Sequence, residues 1–469
     1  MIPPPPSAAA KVNLMRCVFI VVLLAVHLSV TSAQEPLPKD DGYRGIWYDM
    51  PDKASGELKY SGGLGTYPQQ IRPMAIYSRE ANKTFFTYGG RPKDKNTLLH
   101  MVSYYDHATG TVPRPTILLD KKTRDAHDNP CIAIDDAGYI WIFSNTHGPA
   151  ERSFISRSAE PYSIERFEQV LQTSFSYGQP WHVAGQGFLF INNRYTDGRA
   201  VAFSTSRDGV KWSGPTLLAQ FGGHYQISFV HGNKIGVAFN YFPRGLDSRT
   251  NLYYLETSDF GRTWQTAAGQ TVQVPLRQPQ NPAIVVDAES QRRLVYLKDI
   301  VFDEHGRPVL LYLTTGGYQR TPENDPRTWS IARWTGETWI ISHVTESDHN
   351  YDFGQLYLED DGTWRIIAPT ESGPQPYMTG GEIAIWTSRD QGETWQRLKQ
   401  LTQNSPRNHT YVRRPTNAHP DFYAWWADGN ADELSESYLY FTNQAGDAVW
   451  QLPKQMTQEQ QQPQVWDGK

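Results

Sequence analysis

Three segments of the chain share one pattern: Thr257-Ser258-Asp259-Phe260-Gly261-Arg262-Thr263-Trp264, Ser388-Arg389-Asp390-Gln391-Gly392-Glu393-Thr394-Trp395 and the one-residue-shorter Ser206-Arg207-Asp208-Gly209-Val210-Lys211-Trp212. Each suits a tight turn between antiparallel strands. The hydroxyl and the Asp carboxylate accept from turn N–H groups, Gly takes a positive φ, and the Trp folds back over the strands. Since every group of the pattern is occupied in holding a turn, its recurrence speaks to architecture and not to chemistry.

The turn-end tryptophans Trp212, Trp264, Trp339 and Trp395 are separated by 52, 75 and 56 residues, and Gly336-Glu337-Thr338-Trp339 repeats the end of the pattern without the Asp. Between them run short alternating stretches of β-branched and aromatic residues: Ile132 to Ile134, Tyr139 to Phe143, Phe188 to Ile191, Ile235 to Tyr241, Leu252 to Leu255, Val309 to Leu313 and Ile383 to Trp386. Asp- and Gly-bearing turns follow at 135–138, 303–306 and 360–362. This spacing predicts an all-β fold without amphipathic helices. A unit of about 50–70 residues is about one four-stranded blade of a β-propeller, and residues 34–452 hold about seven of them, with about six or eight also allowed. A solenoid is the rival repeat architecture, with shorter and more uniform units.

Lys11 and Arg16, the apolar run Cys17 to Val30 and Thr31-Ser32-Ala33 stand in the order of a secretory signal over residues 1–33, with cleavage near Ala33 and export, periplasmic or extracellular. The run is shorter than the ~20 apolar residues that span a bilayer, so no membrane association is expected after cleavage. Removal of Cys17 would leave Cys131 alone, so buried area and not a disulfide must hold the fold. Net charge is −5, with no basic footprint for nucleic acid. Aromatics make up 13% of the chain, with 15 Trp and 26 Tyr, an excess suited to surfaces that stack on sugar rings. Residues 453–469 are Gln-rich and poor in apolar residues, and composition reads them as a disordered tail. A monomer is expected.

Loops at one end of a propeller channel form the usual binding site. The densest polar cluster is Asp125-Ala126-His127-Asp128-Asn129-Pro130, followed by a hairpin and Asn145-Thr146-His147-Gly148. His127 and His147 can therefore reach the same end of a blade, to bind metal or share acid–base work. Tyr177, Trp181, Arg194, His224, Tyr241, Arg249 and Arg413 lie near further strand ends. A Tyr with an Arg can hold a carboxylate and carry a proton, and equally can pack as amphipathic surface. His419 and His349 lack the clustered spacing of a zinc site, so no residue is assigned to a metal. No cofactor is required, and a structural cation is compatible with a fold of this size.

The repeated turn resembles the Asp-box, or BNR repeat, of sialidase-like propellers. Segments 43–48, 59–67, 127–130, 373–377, 380–395 and 408–428 resemble the BNR-4 group of seven-bladed propellers, which includes ulvan lyases and rhamnose–glucuronate-cleaving enzymes. That resemblance implies a polysaccharide lyase acting by β-elimination on a uronate-containing polysaccharide or oligosaccharide. It implies His127, His147, Tyr177 and Arg194 as the catalytic set, with Tyr177 a proton carrier whose pKa is lowered by Arg, His127 the base or carboxylate partner and His147 in support. Asn129, Trp181, His224, Tyr241, Arg249 and Arg413 are the expected substrate contacts. Residues 65–73 lack the His of some rhamnosyl-active relatives. A sialidase-like or rhamnosidase-type glycoside hydrolase and a non-catalytic glycan-binding propeller are the alternatives, since the same side chains bind a uronate without cleaving it.

Overall fold

The computed structural model describes residues 1–5, 35–52, 55–150, 152–196 and 198–468, so the expected signal over residues 1–33 lies almost wholly outside the described residues. Within 36–469, seven antiparallel four-stranded sheets follow one another along the chain, forming a seven-bladed β-propeller. The blades begin with the inner strands Ala75–Ser78, Pro130–Ile134, Ser176–Val183, Gln226–His231, Leu294–Phe302, Gln355–Leu358 and Asn408–Arg413. In blade 4 the outer position is shared by Trp264–Gln265 and Ile284–Val286, both paired with Thr250–Thr257. Among the described residues the only helical elements are three short 3-10 turns.

Ring closure is direct. Ile76 of blade 1 bridges Thr416 of blade 7, with Tyr77 N–H to Thr416 O and Thr416 N–H to Ala75 O both at 2.9 Å. Phe86 stacks on Phe422 across the same seam. The Gln-rich stretch read as disordered from composition belongs to this closure. Gln460–Gln461 pairs with Val112–Pro113 of the blade 1 loop, Gln464–Val465 adds a strand to blade 7, and Met456 is buried. Backbone pairing is indifferent to side-chain hydropathy, so glutamines serve as well as apolar residues.

The blades are cemented by aromatic pairs across their interfaces: Phe143 with Phe190, Phe203 with Trp264, Tyr254 with Trp339. Among the described residues no tryptophan or phenylalanine is exposed, so most of the aromatic excess is interior packing and not sugar-stacking surface.

The three Asp-boxes occupy one structural position, the turn from the third to the fourth strand of blades 3, 4 and 6. In the box at 257–264, Gly261 N–H donates to Thr257 Oγ1 at 2.9 Å and Thr263 N–H to Asp259 Oδ1 at 2.9 Å. The box at 388–395 repeats these bonds at 2.8 and 3.0 Å. At 335–338, where Asp is missing, the Thr335 hydroxyl takes the N–H groups of Glu337 and Thr338. The box glycine also meets the neighbouring blade: a Cβ on Gly209, at φ +71, would stand 2.4 Å from the Trp141 ring of blade 2. The turn is therefore a blade-to-blade contact as well as a loop.

Three buried histidines tie loops together as neutral acceptors. His224 Nε2 takes Phe221 N–H at 3.1 Å, His349 Nδ1 takes Tyr351 N–H at 3.2 Å and His409 Nδ1 takes the Trp426 indole N–H at 2.9 Å. Burial pushes their pKa values down to about 4, 3 and 3.

Two predictions follow from this packing. Gly209→Ala should lower the unfolding free energy by about 2–4 kcal/mol, through the positive φ and the clash with Trp141. Gly214→Ala, with nothing within 4 Å of its Cβ, should change it by under about 0.5 kcal/mol. Equal effects in urea titrations would refute the interlock. The second concerns acid. A histidine with a depressed folded pKa leaves stability intact above its unfolded value of 6.5, and its contribution is lost as pH falls from there toward the folded value. Wild-type protein should therefore lose more stability than His409→Gln between pH 6.5 and 4, by up to about 1.4 kcal/mol per pH unit. Parallel denaturation curves over that range would contradict it.

Candidate active site

In antiparallel blades the residues before each inner strand and the loops between second and third strands share one end of the channel, opposite the Asp-box turns. The hairpin Trp47–Pro51 with Leu58–Gly63 lies at that same end. It is anchored by the Trp47 indole to Asn430 O at 2.7 Å and by the Lys59–Asp247 ion pair at 2.5 Å.

Asp125 organises the first part of this mouth. It caps the 3-10 turn Ala126–Asp128, accepting His127 N–H at 2.9 Å. Its two carboxylate oxygens also reach the Nδ1 atoms of His127 and His147, at 2.5 and 3.0 Å, and the two imidazoles stack with centroids 4.2 Å apart. Burial alone would raise the Asp125 carboxyl, yet His127 and His147 together hold it below the ordinary carboxylate range. Burial pushes His127 down to about 4, against the pull of Asp125. Neutral His127 thus donates from Nδ1, and its Nε2 accepts from the hydroxyls of Tyr60, at 2.9 Å, and Tyr67. Both of its nitrogens are consumed inside the protein. His147 is the more open of the two, at 27% side-chain exposure against 3%, and no described residue bonds its Nε2. Asp125, His127 and His147 have the residue types of a metal site. Their carboxylate–imidazole separations are those of hydrogen bonds, which suits a proton relay.

Tyr177 begins the inner strand of blade 3 with a positive φ of 54°, at a shift in register between Ser176 and Gln179. An aromatic residue in that region is strained, and the bulge turns its ring toward the histidines, with centroids 6.2 Å from His127 and 6.1 Å from His147. Gly178 N–H, held by Asn145 Oδ1 at 2.7 Å, secures the kink. Tyr225 precedes the inner strand of blade 4 and meets Tyr177 edge-on at 5.3 Å.

Two arginines complete the mouth. The Arg199 guanidinium lies over the rings of Tyr177, Tyr195 and Tyr225 at 5.1, 5.2 and 4.8 Å. Arg249 lies over Tyr225 and Tyr296 at 4.8 and 4.6 Å and donates to the Tyr351 hydroxyl at 3.0 Å. Both are buried, and neither forms an ion pair with a carboxylate among the described residues. Arg199 Nε and Nη1 have no hydrogen-bond partner there. The two tyrosines respond oppositely. Burial lifts the Tyr177 hydroxyl well above the usual tyrosine range despite Arg199. Burial also raises Tyr225, but Arg199 and Arg249 outweigh it and hold the hydroxyl below its ordinary value of 10.

The structure thus brings together the side chains of His127, His147, Tyr177 and Arg249 of the residues read from sequence, and gives the others different partners. Arg194 donates to the Ser174 carbonyl, and the guanidinium over Tyr177 is that of Arg199, which opens the next strand. The side chain of Asn129 binds the carbonyls of Leu64 and Tyr67 at 2.9 and 2.6 Å, fixing the loop that carries Tyr67. His224 is wholly buried, and the Tyr241 hydroxyl meets Glu289. Trp181 and Arg413 line a cavity with Arg72, Phe229 and Arg414 toward the other end of the channel, because they lie far along their inner strands. Tyr177 is raised and not lowered in pKa; the lowered hydroxyl is that of Tyr225. Tyr67, Arg199, Tyr225, Tyr296 and Tyr351 escaped the sequence reading. One signal was available: Tyr177, Tyr225, Tyr296, Tyr351 and Tyr411 recur near inner-strand starts at intervals of 48, 71, 55 and 60 residues, close to the spacing of the boxes.

Known proteins share this architecture. The chain is 23% identical over 341 residues to an ulvan lyase of Nonlabens ulvanivorans, covering 64% of this chain and 70% of the relative. It is 20% identical over 415 residues to an ulvan lyase of Alteromonas sp. (strain LOR), covering 78% and 82%. A solved ulvan lyase of polysaccharide lyase family PL25 superposes with a TM-score of 0.67 at 17% identity, over 86% of this chain and 95% of that one, and a second structure of a PL25 ulvan lyase is bound to GlcA(1-4)Rha3S. The model of the BNR repeat-containing family BNR_4 matches residues 93–347, more than half of the chain, and the protein belongs to that family.

Proposed function

We propose that this protein is a polysaccharide lyase that cleaves a uronate-containing glycan by β-elimination. The observation that carries the reading is the pair of buried arginines, Arg199 and Arg249, without carboxylate partners, at a mouth that also holds a tyrosine with a lowered pKa. Uncompensated buried cations favour an anionic ligand, and a uronate carboxylate supplies the charge. The ulvan lyase relatives, and the glucuronate-containing ligand of the PL25 structure, support the same substrate class.

The elimination has three demands, and each finds a side chain. Arg199 and Arg249 neutralise the carboxylate, which acidifies the C5 proton, and His147 Nε2, a lone pair once Nδ1–H is given to Asp125, accepts from a substrate hydroxyl. Tyr225, held toward its phenolate by the two guanidinium groups, removes that proton; the electron pair forms the C4–C5 double bond as the C4–O bond breaks. Tyr177, kept protonated by burial, gives its proton to the departing oxygen. Two like groups driven apart in pKa form an acid–base pair. His127 and Asp125 orient His147 without touching substrate. No step requires a cofactor. Export, as read from residues 1–33, would place the enzyme where such polymers occur.

Incubation with a panel of polyuronides should produce the ultraviolet absorbance of an unsaturated uronate. New reducing ends without that absorbance would mean hydrolysis, and retained binding without either would mean a glycan-binding propeller. On the cleaved polymer, Tyr225→Phe should lower kcat/KM by about 10²–10⁴-fold, and Arg199→Ala by about 10²–10³-fold, whereas Arg194→Ala should have little effect. The base works deprotonated, so the rate should rise with pH toward the Tyr225 value, below 10. Unchanged turnover in Tyr225→Phe would remove this tyrosine from the mechanism.

A further inference from the structure

A second group of metal-ligating side chains lies away from the mouth, on the seam where the ring closes. His107 follows the third strand of blade 1, whereas His419 and Asp421 sit on the connection between the first and second strands of blade 7. A one-turn loop holds the latter two side by side: Phe422 N–H donates to His419 O at 3.0 Å, and Gln444 N–H to Pro420 O at 2.7 Å. The two imidazoles face each other with centroids 3.8 Å apart, and the Tyr77 ring packs against both.

The donor atoms lie within 4.8 Å of one another, and His419 Nδ1 takes the Asp421 N–H in a long bond of 3.2 Å that a cation would replace. The His107 side chain is 1% exposed, and its Nε2 lies 2.8 Å from Thr84 Oγ1. With Nε2–H given to that hydroxyl, Nδ1 presents a lone pair, and it has no hydrogen-bond partner. Asp421 Oδ2 stands 3.7 Å from this Nδ1 and 3.6 Å from His419 Nδ1. Those separations exceed a hydrogen bond, unlike the 2.5 and 3.0 Å at Asp125 in the mouth. They approach the ~3.4 Å between ligands that each lie ~2.0–2.1 Å from a tetrahedral ion. Asp421 is largely exposed, which leaves room for water in the fourth position.

We propose that His107, His419 and Asp421 bind one divalent transition-metal ion of the zinc class, which staples blade 7 to blade 1. Two imidazoles and one carboxylate select such an ion over calcium or magnesium, which favour all-oxygen sites. Since the ligands come together only in the closed ring, binding stabilises that state by mass action.

The test uses the full chain, stripped with a chelator, dialysed and titrated with zinc chloride by calorimetry and in thermal melts. Wild type should take up one more zinc per chain than His419→Ala or Asp421→Asn, and zinc should raise its melting midpoint by several degrees but not theirs. Both substituted side chains are partly or largely exposed, so both variants should fold, with metal-free midpoints near that of the wild type. His147→Ala, in the mouth, should keep the full seam uptake and the zinc-dependent rise. Equal zinc uptake by wild type and the two seam variants, or loss of the rise in His147→Ala, would overturn the proposal.

Discussion

Closure of seven twisted sheets into one ring is the constraint on which the molecule depends. A blade buries its faces only against its neighbours, so its stability comes from the interfaces. Those interfaces are filled by aromatic pairs such as Phe143–Phe190 and by turns such as the one at Gly209, which rests on Trp141. The last interface is the exposed one, since no peptide bond joins blade 7 to blade 1. It carries the Ile76–Thr416 bridge, the Phe86–Phe422 stack and the paired glutamines of the C-terminal stretch.

The same closure creates the mouth. Seven inner strands that start at one end bring their preceding residues to one rim, and tyrosines at several of those starts form an aromatic collar around two guanidinium groups. The collar tolerates the charge because ring faces attract cations and exclude water. It also separates the two tyrosines that matter. Tyr225 lies against both arginines and is drawn toward its anion, while Tyr177, mainly against Arg199 and other tyrosines, stays protonated. Asp125 does comparable work for the histidines: one carboxylate fixes both rings, so that His127 is spent on orientation and His147 keeps a free nitrogen.

Much of the fold was legible because its signals are local. The boxes, the alternating runs and the Asp–Gly turns each depend on residues within one hairpin, and each lies where the pattern puts it, down to Thr335 standing in for the missing Asp. His127, His147 and Tyr177 were legible because each adjoins a strand end. Arg199 was not, because the choice between it and Arg194 depends on which side of a strand end faces the channel. Tyr60 and Tyr67 arrive from an N-terminal hairpin far from blade 2 in sequence. The glutamine stretch was misread because composition reports the lack of a core and is blind to backbone pairing.

By itself the sequence determined the repeat, the strand content and the turn chemistry, since these follow from backbone conformation and side-chain period over a few residues. Only the tertiary structure decided which polar residues meet at one end of the channel, which tyrosine feels two arginines and which histidine has a nitrogen to spare. Those properties depend on distances between blades and on burial, and both come into being when the ring closes.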